Sequence, residues 1–455
     1  MGIDEGQLEE VTDRGRFYRR TLNLKYISSR RNLFDFIKRE KRHLIEEYKE
    51  KRTEDQTQKD EKRIEGIKNN IKQANESIGE LSYIRNSTKS INTELSDLSK
   101  HHESQEIVFD TGLTDVSHLM DKIELSSRSN GQFMGVGGDG RNNQIYLALW
   151  SAKNKVNESN EVEFTIFCIE EPESHLHPHQ QRQISKYFVN KVSSQLLLTT
   201  HSPQIASEFS PDSLVRLFFN SDNYDSKAGG DGVSSKINDS VVDFGYRLNI
   251  LSAESFFSNT VILVEGTSEL ILLKALSDAL GDIADKQNVS VISVEGIGFK
   301  PYIKLYESME LKWLLKTDND IFKVQGKNKY WMSGLSRAFS ILESVDKTEH
   351  ERIIKEQSID LKEEFDTSES ALAKAKSIIE ICGEKLENFG IFLSNIDLEN
   401  DLMESEIQSK LSEFYGDGDS EAVIKQMQQR KAENLFGFLA EHQKELLKIS
   451  KDDPS

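Results

Sequence analysis

Two apolar runs in the middle of the chain end abruptly in carboxylates, and this feature narrows the architectures open to the sequence more than any other. The first is Val261-Ile262-Leu263-Val264-Glu265-Gly266-Thr267-Ser268-Glu269, and the second is Trp313-Leu314-Leu315-Lys316-Thr317-Asp318-Asn319-Asp320. An apolar run of this length reads as a parallel strand covered on both faces, and the acids at its end cannot be buried unpaired. From residue 260 onward such runs alternate with helical stretches, which is the spacing of an α/β fold with a parallel sheet. The strands predicted on this basis are 260–264, 289–294, 312–316 and 390–393. In an open sheet of this kind ligands bind outside the carboxyl ends of the strands. Acids brought there by separate strands form an all-oxygen site suited to Mg²⁺ or Mn²⁺, and such sites serve phosphodiester chemistry.

The chain has 455 residues, enough for two or three domains. No apolar run approaches the length of a membrane span. The N-terminal MGIDEGQLEE is acidic, lacks the apolar core of a signal peptide and departs from the myristoylation pattern at Gly6. The two cysteines, Cys168 and Cys382, have no metal-type partners nearby, which excludes a zinc ribbon and fits a reducing compartment. A cytoplasmic protein without membrane association is therefore expected. The net charge of −19 argues against wholesale electrostatic binding to nucleic acid while leaving room for a local basic channel. Lys323, Lys327, Lys329 and Arg337 are candidates for such a track but read as ordinary surface charges.

Residues 39–102 are rich in charge, free of proline and helical in pattern, with Ile64, Ile67, Ile71, Ala74, Ile78 and Leu81 at 3-4 spacing and Ile84, Ile91, Leu95 and Leu98 resuming it. This reads equally as the seam of a coiled coil or helical hairpin and as an amphipathic helix on the body of its own domain. A glycine-rich turn, Gly135-Val136-Gly137-Gly138-Asp139-Gly140-Arg141, opens the next helix, and residues 221–235 read as a surface loop. A charged helical insertion is expected at about 345–387 and a helical C-terminal part over 421–447.

A second constellation precedes the first. In Phe164-Thr165-Ile166-Phe167-Cys168-Ile169-Glu170-Glu171-Pro172-Glu173-Ser174-His175-Leu176-His177-Pro178 a strand ends in two acids, one able to hold Mg²⁺ and the other to polarise an attacking water. Further on, Leu196-Leu197-Leu198-Thr199-Thr200-His201-Ser202-Pro203 presents a histidine after another strand, within reach of a γ-phosphate. The glycine turn upstream is a candidate anion cradle through Gly138 and Gly140. This stretch resembles the ABC-type ATPases of the SMC and RecF branch. The resemblance implies that Glu170 and Glu171 are the Walker B pair, His201 the switch histidine and Gly137–Arg141 the signature turn. No GxxxxGK followed by Ser or Thr occurs. The family carries that phosphate loop in an N-terminal segment, so this chain alone is expected to bind ATP weakly or not at all and to lack ATPase activity, with the loop on another chain, truncated or lost.

The Val-Glu-Gly-Thr-Ser-Glu and Thr-Asp-Asn-Asp motifs resemble the Toprim fold, and a Toprim fold behind an ABC-like ATPase is the order of the OLD (overcoming lysogenization defect) family of ATP-dependent nucleases. Within that family the chain is similar to the nuclease subunit of the Gabija antiphage system. The resemblance implies a two-metal DNA endonuclease holding two Mg²⁺ or Mn²⁺ ions. Its ligands would be Glu265, Glu269, Asp318, Asp320, Asp397 and Glu399, and Lys431 would neutralise charge on the phosphate. It implies ATP as a regulatory nucleotide of the complete protein, a role in antiphage defence, a homodimer or higher homo-oligomer, and a helicase-like defence partner. The expected fold is α/β. A remnant of the ATPase domain (1–38), a helical coiled-coil dimerisation segment (39–105) and the C-terminal part of the ATPase domain (106–256) precede a Toprim domain with a Rossmann-like parallel sheet (257–455). The competing reading is a non-catalytic binding module, an ATPase remnant that senses DNA ends or a partner in repair. Glu295 also ends an apolar run, in Val294-Glu295-Gly296, and is read as part of a structural turn rather than as a ligand.

Overall fold

The computed structural model describes residues 22–28, 33–98, 107–109, 116, 123, 125–129, 132–135, 140, 144–146, 148–149, 164–192, 194–210, 213–220, 224–229, 250–295, 298–416 and 419–449. It divides into two compact units, Met1–Ile184 with Asn190–Thr200 and Ser185–Val189 with His201–Ser455. Each is described by itself.

The first unit is built on a parallel sheet of three strands, β1 (Leu22–Ile27), β2 (Phe164–Glu170) and β3 (Gln195–Thr199), with β2 in the centre. The register pairs Tyr26 with Cys168 and Glu170 with Thr199, which brings the acidic end of β2 level with the end of β3. Three helices follow β1 in sequence: α1 (Leu33–Glu50), α2 (Glu54–Gly79) and α3 (Ser82–Leu98). Thr53 and Gln56 start α2 with a reciprocal capping box. No residue of α2 is buried, and Ile67, Ile78, Ile91 and Leu95 of the predicted seam are exposed. Helix α4 (Pro178–Lys191) runs from β2 to β3, with Pro178 at its first position, where the missing N–H costs nothing.

The second unit carries the alternation read from the sequence. Its parallel sheet has the order β9 (Ile391–Leu393), β6 (Lys312–Thr317), β4 (Thr260–Val264), β5 (Val289–Ser293). Strand β4 is central and rich in β-branched residues, and Val261, Leu263 and Val264 are fully buried, as a strand covered on both faces requires. The predicted ends fall within a residue or two of the observed ones. Helices α5 (Thr267–Ala279), α6 (Phe299–Ser308) and α7 (Ser333–Val345) follow β4, β5 and β6. One core joins Val261, Leu263, Ile292, Trp313 and Leu315 of the sheet to Tyr302 and Tyr306 of α6 and Phe339 and Leu342 of α7.

Between β6 and α7 lies a hairpin that the sequence reading did not separate, β7 (Ile321–Lys323) with β8 (Tyr330–Met332). Two helices, α8 (Lys347–Gln357) and α9 (Ser368–Glu387), lie between α7 and β9. Helices α10 (Leu398–Met403), α11 (Gln408–Tyr415), α12 (Ser420–Gln428) and α13 (Lys431–His442) close the unit. Leu398, Leu402, Leu411, Met427 and Phe438 from these helices form a second core with Leu272 of α5. That core packs the helical end along α5 at Leu272, Ala275, Leu276 and Ala279. Among the described residues no helix is long and apolar enough to cross a membrane.

Candidate functional site

The carboxyl ends of β4, β6 and β9 meet in the second unit. Glu265 leaves β4 just before Gly266, the N-cap of α5, and Glu269 lies in the first turn of that helix. The Glu269 side chain folds back toward Gly266, where a Cβ would stand 3.4 Å from Oε2. Asp318 and Asp320 follow β6. Oε1 of Glu265 accepts from the Asp318 backbone N–H at 2.9 Å, from the Thr317 hydroxyl and from the Arg337 guanidinium, which ties the β4 and β6 ends together. The other guanidinium nitrogen of Arg337 donates to Asp320 Oδ2 at 2.5 Å. The reading of Arg337 as a surface charge is therefore corrected, because the residue reaches inward from α7 to two of the acids. Lys327 and Lys329, two of the other three positions of that track, pair at 2.6 Å with Glu364 and Asp366.

Asp397 and Glu399 come from the turn after β9. Asp397 caps α10, accepting from the Asn400 N–H at 2.9 Å, and its second oxygen accepts from Gln428 at 2.7 Å. Glu399 is buried and pairs with Lys431 at the start of α13, 3.0 Å away. Arg430, in the left-handed region at φ 55°, makes the bend before that helix.

The electrostatics show how tightly these groups gather. Asp318 is buried, and its carboxyl is pushed up to about 8 by desolvation first, then by Glu269 and Glu265, with Asp397 adding to them and Lys431 opposing. Burial works to lower the Lys431 ammonium, yet Glu399, Asp318 and Asp397 outweigh it and hold it above its ordinary value. Glu265, Glu269, Asp318, Asp320, Asp397, Glu399 and Lys431 are thus brought into one neighbourhood from segments spread over more than a third of the chain. Glu295, at φ 40°, donates its N–H to the Glu265 carbonyl at 3.2 Å and serves the turn.

Two further elements went unread in the sequence. Buried Asp401 of α10 pairs with Lys316 of β6 at 3.2 Å and accepts from the Asn395 N–H at 3.2 Å, locking the β9 turn to β6. Gly334 of α7 sits directly on the carboxylate loop: a Cβ there would stand 2.3 Å from the Asp318 carbonyl oxygen and 2.6 Å from the Asp320 nitrogen.

No three of the acids stand preassembled as a ligand group among the described residues. The donor set nevertheless fits a divalent ion. It is all oxygen, and burial first, then the charges of Glu269 and Glu265, raise the Asp318 carboxyl to about 8.

In the first unit Glu170 ends β2, and the Tyr26 hydroxyl donates to it, which together with burial raises the tyrosine above its ordinary value. Glu171, at φ 42°, donates its N–H to Thr199 O at 2.9 Å, and the Thr200 hydroxyl donates to Glu173 at 2.7 Å. A Cβ on Gly140 would stand 2.4 Å from the His175 carbonyl oxygen, so close packing requires glycine there. Gly138, with most of the signature turn, lies outside the described residues. His201 belongs to the second unit and lines a cavity of about 260 Å³ with Glu254, Phe257, Asp285 and Asn288.

Comparison with known proteins agrees with this two-part layout. The AAA ATPase domain family matches residues 16–206, and the family described as "Overcoming lysogenization defect protein-like, TOPRIM domain" matches residues 256–320. An ATPase segment followed by an OLD-type Toprim domain is the class that fold and site define. The chain is similar to the OLD-like proteins over its Toprim segment. Among its relatives, "Endonuclease GajA" of Bacillus cereus (strain VD045) is 28% identical over 355 residues, covering 74% of this chain and 58% of the relative. "Uncharacterized protein YbjD" of Escherichia coli (strain K12) is 26% identical over 177 residues, covering 39% of this chain and 31% of the relative. The chain thus spans less than two thirds of the length of these relatives. Solved C-terminal regions of OLD proteins from Burkholderia pseudomallei and Xanthomonas campestris pv. campestris are each 22% identical. They cover 42% and 44% of this chain and 86% and 88% of theirs, with TM-scores of 0.25 and 0.26.

Proposed function

We propose that the chain is a Mg²⁺- or Mn²⁺-dependent DNA endonuclease working through a two-metal Toprim site. The observation that carries this reading is the gathering of Glu265, Glu269, Asp397 and Lys431 around buried Asp318, whose carboxyl all four influence. The kinship with GajA supports it. Glu265, Glu269, Asp318, Asp320, Asp397 and Glu399 would hold two ions, which supply a nucleophile at neutral pH and stabilise the leaving oxygen. Burial of Asp318 excludes water from one side of the site. Lys431, held charged by Glu399, is placed to meet negative charge growing on the scissile phosphate. Asp397 stays oriented through its cap on α10. The ATPase segment, extending to about residue 256, would bind ATP in the complete protein through Glu170, Glu171, His201 and the glycines Gly138 and Gly140, and the Toprim domain would begin at 257. The exposed seam on α2 and α3 suits a homodimer or higher homo-oligomer. A cytoplasmic role in antiphage defence, beside a helicase-like partner, is the part of this reading that rests on the Gabija resemblance and on no residue of the site.

Plasmid nicking with Mg²⁺ or Mn²⁺ tests the assignment. Wild type is expected to nick, and Glu265→Ala and Asp320→Ala to lose at least a hundredfold. Equal cleavage by all three proteins would remove the enzyme from this chain.

A further inference from the structure

Arg337 touches the acids selectively. Nη1 meets Glu265 Oε1 and the Thr317 hydroxyl oxygen, the latter at 2.8 Å, and Nη2 meets Asp320 Oδ2 at 2.5 Å. The Thr317 hydroxyl and the Asp318 N–H fall on the same Glu265 oxygen. Every described hydrogen bond to the Glu265 side chain therefore lands on Oε1, and the one to Asp320 lands on Oδ2. Oε2 of Glu265 and Oδ1 of Asp320 receive none among the described residues. Helix α7 is firmly seated under this contact. Ser333, Gly334, Leu335, Ala338 and Phe339 are buried, and the Gly334 N–H donates to Asp320 O at 2.9 Å.

We propose that Arg337 is a positioning residue that clamps one oxygen of Glu265 and one of Asp320 so that the remaining oxygen of each faces a divalent ion. This rests on the metal-centre reading above and names a residue outside its ligand set. A planar fork bridges two carboxylates at once, whereas a lysine ammonium in the same place is a point charge on a flexible stem. Groups that orient ligands in this way are worth about 10–100-fold in metal affinity. The opposite role is also chemically coherent: a cation lying on the acids would compete with the metal. The occupancy of only one oxygen per carboxylate favours orientation.

Mn²⁺ binding to the full chain, followed by calorimetry and by the electron paramagnetic resonance of free Mn²⁺, separates these roles without any measurement of cleavage. Arg337→Gln removes both charge and fork. Arg337→Lys keeps the charge, loses the fork and is the variant better placed to keep the fold. Both are expected to bind Mn²⁺ about 10–100-fold more weakly than wild type, with unchanged circular dichroism. Wild-type affinity in Arg337→Lys would mean that charge alone matters and would overturn the clamp. Unchanged or tighter binding in Arg337→Gln would do the same. Asp318→Ala is the control. If wild type binds Mn²⁺, Asp318→Ala does not and both arginine variants match wild type, the clamp fails while the metal centre stands. If wild type itself takes up no Mn²⁺, both readings fall.

Discussion

Asp318 concentrates the electrostatics of the site. In the metal-free protein its carboxyl sits near 8, raised by burial and then by Glu269 and Glu265, against roughly 3.9 in an unfolded chain. The folded state therefore retains a proton between these values that the unfolded state has released. Stability from this group is fully present below about pH 4 and falls as pH rises, until it is lost above the folded value. In EDTA the melting temperature of wild type should decline from pH 5 to pH 9, and Asp318→Asn should flatten that decline. If the variant gains about 1 kcal/mol, it melts roughly 2 °C above wild type at pH 9. Saturating Mn²⁺ should flatten the wild-type profile as well. A steeper profile in the variant would show that Asp318 is not the group responsible. Lys431 has the opposite charge and a different expected phenotype. Lys431→Gln should keep Mn²⁺ affinity within a few-fold but slow nicking by about 10²–10³, as loss of a group that stabilises transition-state charge does. Single-turnover cleavage at saturating Mn²⁺ measures it.

Individual elements explain which parts of the site were legible in the sequence. Glu265, Asp318 and Asp320 could be read because they stand at the ends of two apolar runs, a signal contained within ten residues. The strands were legible for the same reason. Arg337 was not, because an arginine on one turn of an amphipathic helix looks like solvated charge, and only the unread hairpin β7–β8 turns α7 back over the end of β6. Lys316 and Asp401 were missed because their pairing spans 85 positions, and no local pattern encodes it. Both contacts make predictions. Losing one partner of a buried ion pair costs about 3–5 kcal/mol, so Asp401→Ala should lower the denaturation midpoint strongly, whereas a substitution at exposed Glu421 should not. Gly334→Ala forces a methyl group onto the Asp318–Asp320 backbone, an overpacking worth about 1–3 kcal/mol. It should weaken Mn²⁺ binding too, because it pushes α7 and Arg337 away from the acids. If Gly334→Ala lost stability but kept full Mn²⁺ affinity, the seat of α7 would be structural only.

At the scale of the whole molecule, the carboxylate cluster and the Glu170–Glu171 strand end belong to different compact units, and His201 falls in the second. Every described contact among Glu265, Asp318, Asp320, Asp397, Glu399, Arg337 and Lys431 closes within the second unit, around cores contributed by that unit alone. Glu170 and Glu171, with Tyr26 and Thr199 against them, lie in the first. Sites that share no partners behave additively, to within about 0.5 kcal/mol. Without nucleotide, Glu171→Gln should therefore leave Mn²⁺ affinity and nicking within roughly two- to threefold of wild type. Asp318→Ala should abolish nicking in either background, and the melting-temperature changes of the two substitutions should sum in the double variant. Nicking assays and thermal melts on the two single variants and the double variant, all in nucleotide-free buffer, are sufficient. A loss of nicking in Glu171→Gln comparable to that in Asp318→Ala would mean that the first unit acts on cleavage directly, even before nucleotide binds, and the separation of roles drawn from the two units would not hold.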